Sequence, residues 1–239
     1  NLDGVAFAFA NSGFGRGNME AIKYVESHDE VANGQTRITT TVDPADPYSD
    51  VALDYAKLGG ALTALAPGIP MYFQGQEFAE DSFFADTTEN RPDWSLLDEY
   101  GGIREFIGKI NKMRGTRPSL RGDTGAQVMH LNNGASVMAV QRFDFAGDVT
   151  VAVFNFGSTD FTEYTIGVPG AGTWHLLASS EETRHLGSGE YSASFEASAP
   201  GQDGQPATGT VELAPRSVHV YSQTPPAETA DQNDAWMVY

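Results

Sequence analysis

The chain has 239 residues, 40% of them hydrophobic and 11% aromatic, enough to pack one or two cores. It contains no cysteine, which excludes a disulfide scaffold, a thiolate metal site and a cysteine nucleophile. Acids outnumber bases 32 to 14, a formal charge of −18 that repels phosphate backbones and argues against nucleic acid as a partner.

The acidity is spread evenly: residues 1–115 carry 18 acids and 9 bases, and residues 116–239 carry 14 and 5. Only four lysines occur, Lys23, Lys57, Lys109 and Lys112. Such a balance suits a surface solvated in high salt as well as an ordinary acidic protein. No apolar run approaches the ~20 residues of a membrane span, so no membrane partner is expected. The chain opens on Asn1, without an initiator Met or a basic-then-apolar leader, which reads as a processed chain or a fragment.

In chain order, Ile22 to Val25 form a short apolar run that ends in a polar cluster. Residues 43–50 (DPADPYSD) read as a loop. Val51, Tyr55, Leu58, Leu62 and Leu65 then recur at spacings of 4, 3, 4 and 3, one face of a helix that Pro67-Gly68 stops. Ile69 to Phe73 read as a second, buried strand, and a polar loop follows over roughly 75–101. Ile103, Phe106, Ile107, Ile110 and Met113 mark another amphipathic helix. This strand–helix alternation implies parallel strands. Two such units cannot close a (β/α)8 barrel, which takes about 250 residues, so residues 1–115 read as the last part of something larger.

The character changes near Thr116-Arg117-Pro118. Strand-like runs follow at 126–131, 135–143, 149–156, 161–168, 173–178, 190–196, 208–213 and 217–222, with Asn132-Asn133-Gly134 a good hairpin turn. They predict an antiparallel β-sandwich over 116–222. Residues 223–239 read as a loose tail, with Trp236, Met237 and Tyr239 able to dock on the body.

The densest chemical constellation is Glu26-Ser27-His28-Asp29-Glu30, directly after the first strand. In parallel α/β proteins the active site lies at the C-terminal ends of strands, and carboxylates packed there shift each other's pKa values. A solvated loop start fits the same residues. Gln74-Gly75-Gln76-Glu77 occupies the equivalent place after the second strand, where an ordinary loop is again the plain alternative. Two polar clusters on consecutive strand ends face the same side and together favour a site.

These residues carry a resemblance. Tyr24 to Glu30 (YVESHDE) resembles the His-Asp region at the seventh strand of the α-amylase superfamily, glycoside hydrolase family 13, and Ala66 to Phe78 (APGIPMYFQGQEF) resembles its eighth strand and exit. The Glu-Ser-His-Asp form looks most like α-1,4-glucan branching enzymes, for which a cytoplasmic location is expected. The resemblance implies the last βα units of a (β/α)8 TIM barrel followed by the superfamily's β-sandwich domain. It also implies a retaining reaction on α-glucans, run by a carboxylate nucleophile and a carboxylic general acid through an oxocarbenium-like transition state. Asp29 would be the third, transition-state-stabilising carboxylate, and His28 would bind the same sugar. Glu26, Glu30, Gln76, Glu77 and Trp94 are the expected substrate-binding residues.

The departure is as informative. No strand-four Arg-x-Asp motif and no strand-five Glu precede residue 22, where the only acids are Asp3 and Glu20, which read as loop or helix residues. The nucleophile and general acid are therefore expected in a missing N-terminal barrel portion, in the same or another chain. No organic cofactor or metal is implied. Asp43, Asp46 and Asp50 could hold a Ca²⁺, although their spacing is not that of a calcium loop. Trp94 could instead cap the last helix, and Trp174, His175 and Tyr191 could be sandwich core or a second sugar-binding surface.

Overall fold

The computed structural model describes residues 1–11, 18–32, 36–85 and 91–226. The elements run α1 (Asp3–Ala10), β1 (Ile22–Lys23), α2 (His28–Val31), α3 (Ile38–Val42), α4 (Asp50–Leu65), β2 (Ile69–Pro70) and α5 (Leu96–Thr116). Eight strands follow: β3 (Gly125–Asn132), β4 (Val137–Phe143), β5 (Val149–Asn155), β6 (Phe161–Val168), β7 (Gly172–Ser179), β8 (Ser194–Ser198), β9 (Ala207–Leu213) and β10 (Ser217–Ser222).

The helices form where the apolar spacing places them. Ser49 caps α4 by accepting from the Ala52 amide, and Asp50 sits in its first turn. Ala66-Pro67-Gly68 ends it. In α5, Ile103, Phe106, Ile107 and Ile110 are buried on one face, and the helix stops one residue short of Arg117-Pro118.

β1 and β2 pair in parallel, Ile22 opposite Ile69 and Lys23 opposite Pro70, with α2 to α4 in the crossover between them. The strands are shorter than the runs 22–25 and 69–73, and they are not buried. Ile22, Tyr24 and Ile69 are 56%, 45% and 43% exposed. Each strand has one hydrogen-bonded neighbour among the described residues, so nothing there covers the second edge of the pair.

The strands of 125–222 form one continuous antiparallel sheet in the order β3-β4-β5-β10-β7-β8-β9-β6. It curls until its end strands meet, where His130 Nε2 and Asn132 Nδ2 lie 2.9 and 3.0 Å from the Tyr164 hydroxyl. Side chains inside the curl, among them Val151, Val153, Trp174, Phe195 and Tyr221, make one core. Met138, Val140, Ala152, Phe154, Val218 and Val220 face the other way and pack on α1, α4 and α5 through Phe9, Leu58, Leu65, Phe106 and Ile110. The alternation in β4 and β5 is thus between two cores, not between core and water, and both strands are buried almost throughout. Only β8 and β9, away from the helices, alternate buried with exposed.

Two buried arginines fasten the sheet to the helices. Arg142 on β4 donates to the Leu65 carbonyl at the end of α4 (2.6 Å), to the Arg121 carbonyl (2.6 Å) and to Thr124 Oγ1 (2.7 Å). Arg114 donates to the carbonyls of Ala64 (2.6 Å), Ala66 (2.8 Å) and Gly68. The carbonyls of Ala64 and Leu65, among the orphan acceptors of the α4 C-terminus, are thereby satisfied. The hairpin turn at Asn132-Asn133-Gly134 also serves the interface, since Asn133 Oδ1 accepts from the Leu2 amide (2.7 Å) at the start of α1.

Residues 223–226 are held to the body: Gln223 donates to the Ala171 carbonyl and Arg117 to the Thr224 carbonyl, each at 2.8 Å. The remainder of the expected tail, with Trp236, Met237 and Tyr239, lies outside the described residues. No helix of the described residues is long and apolar enough to cross a membrane.

Candidate active site

Ser27 stands in extended backbone after β1 and starts α2 by accepting from the Asp29 amide at 3.2 Å. Its hydroxyl donates to Glu30, which holds that carboxyl below its ordinary pKa. The spacing Ser27-x-x-Glu30 is a capping-box signature, a local signal legible in the sequence. Its effect is to turn His28 and Asp29 outward. Their side chains are 68% and 75% exposed, with His28 Nε2 3.3 Å from Asp29 Oδ1.

Glu26 does the opposite. Its carboxylate is buried, with Oε2 3.1 Å from Arg37 and Oε1 accepting from the Ile38 amide at 2.7 Å. Burial raises its pKa, against the pull of the Ile38 amide and Arg37. Glu26 therefore lies behind His28 and Asp29, with both oxygens engaged, and does not face solvent as an expected sugar contact would.

Arg37 was not singled out by the sequence motifs. Besides Glu26 it donates to the carbonyls of Gln74 and Ser82, each at 3.0 Å, and its guanidinium stands 4.7 Å from the Phe73 ring centroid. It joins the exit of β1 to the exit of β2. The available signal was its isolation, because no other arginine occurs between Arg16 and Arg91.

After β2, Gly75 adopts a φ of +89°, and a Cβ there would lie 2.5 Å from that of Glu80. This turn buries Gln76, whose Oε1 accepts from the Phe73 amide (3.4 Å) and whose Nε2 has no partner among the described residues. Glu77 is half-buried, and its charge contributes to the raised pKa of Glu26. Glu80 is buried and accepts from the Asp93 amide at 2.6 Å, which brings the start of the α5 segment against the β2 exit. There Trp94 is 64% exposed, 5.3 Å from the buried ring of Phe78. The structure thus joins Glu26 to the carbonyl of Gln74 through Arg37, places Gln76 and Glu77 on the turn that follows, and sets Trp94 against that turn through Phe78. His28, Asp29 and Glu30 form a separate, outward group on α2.

The three candidate calcium ligands do not converge. Asp43 accepts from the amides of Ala45 and Asp46 and from Ser49 Oγ, shaping the turn into α4. Among the described residues no group of three or more His, Asp or Glu could hold a metal ion. Trp174 is core: it is 1% exposed and donates to the Gly170 carbonyl.

Residues 128–224, which hold most of the curled antiparallel sheet, match the family described as alpha amylase, C-terminal all-beta domain. The chain is 30% identical over 198 residues to the 1,4-alpha-glucan branching enzyme of Burkholderia vietnamiensis, covering 79% of this chain and 26% of that one. It is 31% identical over 206 residues to the enzyme of the same name from Mycobacterium tuberculosis, covering 80% and 27%. It spans about a quarter of the length of these curated relatives. Among solved structures, the pullulanase of Anoxybacillus sp. LM18-11 complexed with maltotriose superposes with a TM-score of 0.66 at 18% identity, over 92% of this chain and 29% of that one. The debranching enzyme of Nostoc punctiforme superposes at 0.57 and 19%, over 84% and 35%. The chain belongs to the α-amylase superfamily, glycoside hydrolase family 13, and corresponds to a C-terminal portion of its enzymes.

Proposed function

We propose that this chain is the C-terminal part of a retaining glycoside hydrolase or glucanotransferase acting on α-glucans, with 1,4-α-glucan branching the preferred reaction. The observation that carries this reading is the placement of His28 and Asp29, turned into solvent at the exit of a strand that runs parallel to a second one. On this reading residues 1–115 are the seventh and eighth βα units of a TIM barrel, 116–222 the β-domain and 223–239 a tail. The open edges of β1 and β2 and the exposed Ile22, Tyr24 and Ile69 would be covered by the rest of the barrel, in the same or another chain.

Asp29 would accept hydrogen bonds from hydroxyls of the sugar undergoing cleavage. As the ring flattens towards an oxocarbenium ion, those bonds strengthen, a contribution of several kcal/mol. His28 would hold the same sugar. Glu30, Gln76, Glu77 and Trp94 would line the approach, while Glu26 and Arg37 position the two strand ends. The nucleophile and general acid would stand on the complementary barrel portion, so that the chain alone would not turn over.

Transfer to a sugar 6-hydroxyl gives branching, and transfer to water gives α-amylase-like hydrolysis. The relatives at 30–31% identity favour branching; the solved pullulanase and debranching enzyme keep hydrolysis as the second reading. In the enzyme containing this chain, Asp29→Asn should lower kcat by about a hundredfold to a thousandfold with the fold intact. Retention of most of kcat would overturn the assignment. Branching would show as loss of iodine staining without new reducing ends, and hydrolysis as the loss with them.

A further inference from the structure

β8 and β9 are adjacent strands that pair only at Ala197 with Gly209 and Ser198 with Thr208. Continued, the register would set Phe195 opposite Val211 and Ser194 opposite Glu212, but the strands part before those rungs. The wedge is the Phe195 ring. A Cβ on Gly209 would lie 2.4 Å from it, so the ring occupies the space that only a glycine leaves. The parted strands enclose a slot of about 200 Å³. That is below the about 300–1,000 Å³ of pockets for drug-sized molecules, room for a single ring.

The walls of this slot are polar and its floor aromatic. Ser192, Ser194, Thr210 and Glu212 line the walls, and Phe195 and Tyr221 the floor, their rings crossing edge to face at 5.0 Å. Glu212 is fixed in place by accepting from both the amide and the hydroxyl of Ser192, at 3.2 and 3.0 Å. A second carboxylate, Glu163, lies on the β6 side, and no lysine or arginine lines the slot. Tyr221 is only 3% exposed, and the charge of Glu212 acts on its hydroxyl. Behind it stacks His219, fully buried, with both ring nitrogens unpartnered. The slot thus presents hydroxyls, a phenol and carboxylates beside aromatic rings, a lining that suits a polar guest with an apolar face.

We infer that this slot is a carbohydrate-binding site, separate from the strand-end site, which takes one neutral pyranose of a glucan chain. Aromatic edges offer packing to the C–H face of a sugar, while carboxylates and hydroxyls meet its hydroxyl groups. Two carboxylates with no cation reject phosphorylated sugars. The preference for a neutral sugar comes from the slot alone; the choice of an α-1,4-glucan rests on the functional reading above.

The test is calorimetric titration of the full chain with maltoheptaose and with cellohexaose, repeated on Tyr221→Phe, Thr210→Val and Glu212→Gln variants checked for fold by circular dichroism. Maltoheptaose should bind in the millimolar range. Tyr221→Phe should weaken it about fivefold, as loss of one hydrogen bond implies. Should Glu212→Gln fail to fold because Ser192 loses its partner, Tyr221→Phe and Thr210→Val still decide. Slot-dependent binding of cellohexaose alone would keep the site and overturn the α-glucan reading. Absence of saccharide binding at about ten millimolar, binding indifferent to all three variants, or preferential uptake of a polyamine would overturn the site while leaving the Asp29 turnover test standing.

Discussion

The guanidinium of Arg37 lies 3.1 Å from the carboxylate of Glu26, and both side chains are only 3% exposed. Removing either partner strands the other in the interior. Arg37→Ala should cost about 3–5 kcal/mol, measured by urea unfolding, because it leaves a buried carboxylate and frees the carbonyls of Gln74 and Ser82. Glu26→Gln should cost less, since the amide oxygen can still accept from Ile38. A loss below about 1 kcal/mol for Arg37→Ala would show that the pair does not fasten the two strand ends.

That pair also marks the limit of what the sequence discloses. The helix faces of α4 and α5 and seven of the eight sheet strands follow from spacing of apolar residues within a few positions, and the Ser27–Glu30 cap is equally local. The eighth strand, expected at 190–196, runs instead from Ser194 to Ser198, because a 3₁₀ turn at Thr183–His185 and the loop after it occupy the approach. Arg37, Arg114 and Arg142 were not legible. Their partners are backbone carbonyls up to 77 residues away, which leave no pattern in composition or period. The inward turn of Glu26 was hidden for the same reason, since it depends on an arginine eleven positions on. Nor does a hydrophobic run announce how many neighbours its strand will find, which is why the runs at β1 and β2 suggested burial where the side chains stand exposed.

His219 supplies a pH dependence. It is wholly buried, without a hydrogen-bond partner among the described residues, and desolvation pushes its pKa down to about 4. The unfolded chain takes up this proton near pH 6.5, and the folded protein only near 4, so the unfolded state binds more protons between them. Stability should therefore fall as pH drops from about 6.5 to about 4, by roughly 3 kcal/mol from this group. His185, also lowered by burial, acts in the same direction. His219→Leu should flatten much of that slope and stabilise the fold at pH 7, since a buried polar group without partners is replaced by an apolar one. An unchanged slope in the variant, followed by urea midpoints across pH 4–7, would assign the effect elsewhere.

Arg142 should be the residue on which attachment of the sheet to α4 depends. It is 1% exposed, and it donates to the carbonyls of Leu65, Arg121 and Gly125 and to Thr124 Oγ1. Arg142→Met keeps the stem and removes the donors. The expected loss is about 3 kcal/mol, or a Tm drop of roughly 6–12 °C for a chain of this size. Arg142→Lys should fall between the two, because one ammonium cannot reproduce the spread of the planar fork. A drop under about 2 °C for Arg142→Met would mean that water replaces the lost donors.

The excess of 32 acids over 14 bases should make stability depend on salt. Some partly buried ion pairs work against this. Lys109 and Glu182, at 2.6 Å, attract each other and would be weakened by screening. Such pairs are worth at most about 1 kcal/mol each, whereas most of the acids have no base to meet and repel one another over the whole surface. Raising the ionic strength from 0.1 to 1 M shortens the Debye length from about 10 to about 3 Å, which removes the long-range repulsion and leaves close contacts less affected. The Tm should therefore rise between dilute buffer and molar KCl, most of the gain coming below about 0.5 M, where screening changes fastest. A Tm indifferent to KCl would show that the acids are spaced widely enough for water alone to separate them.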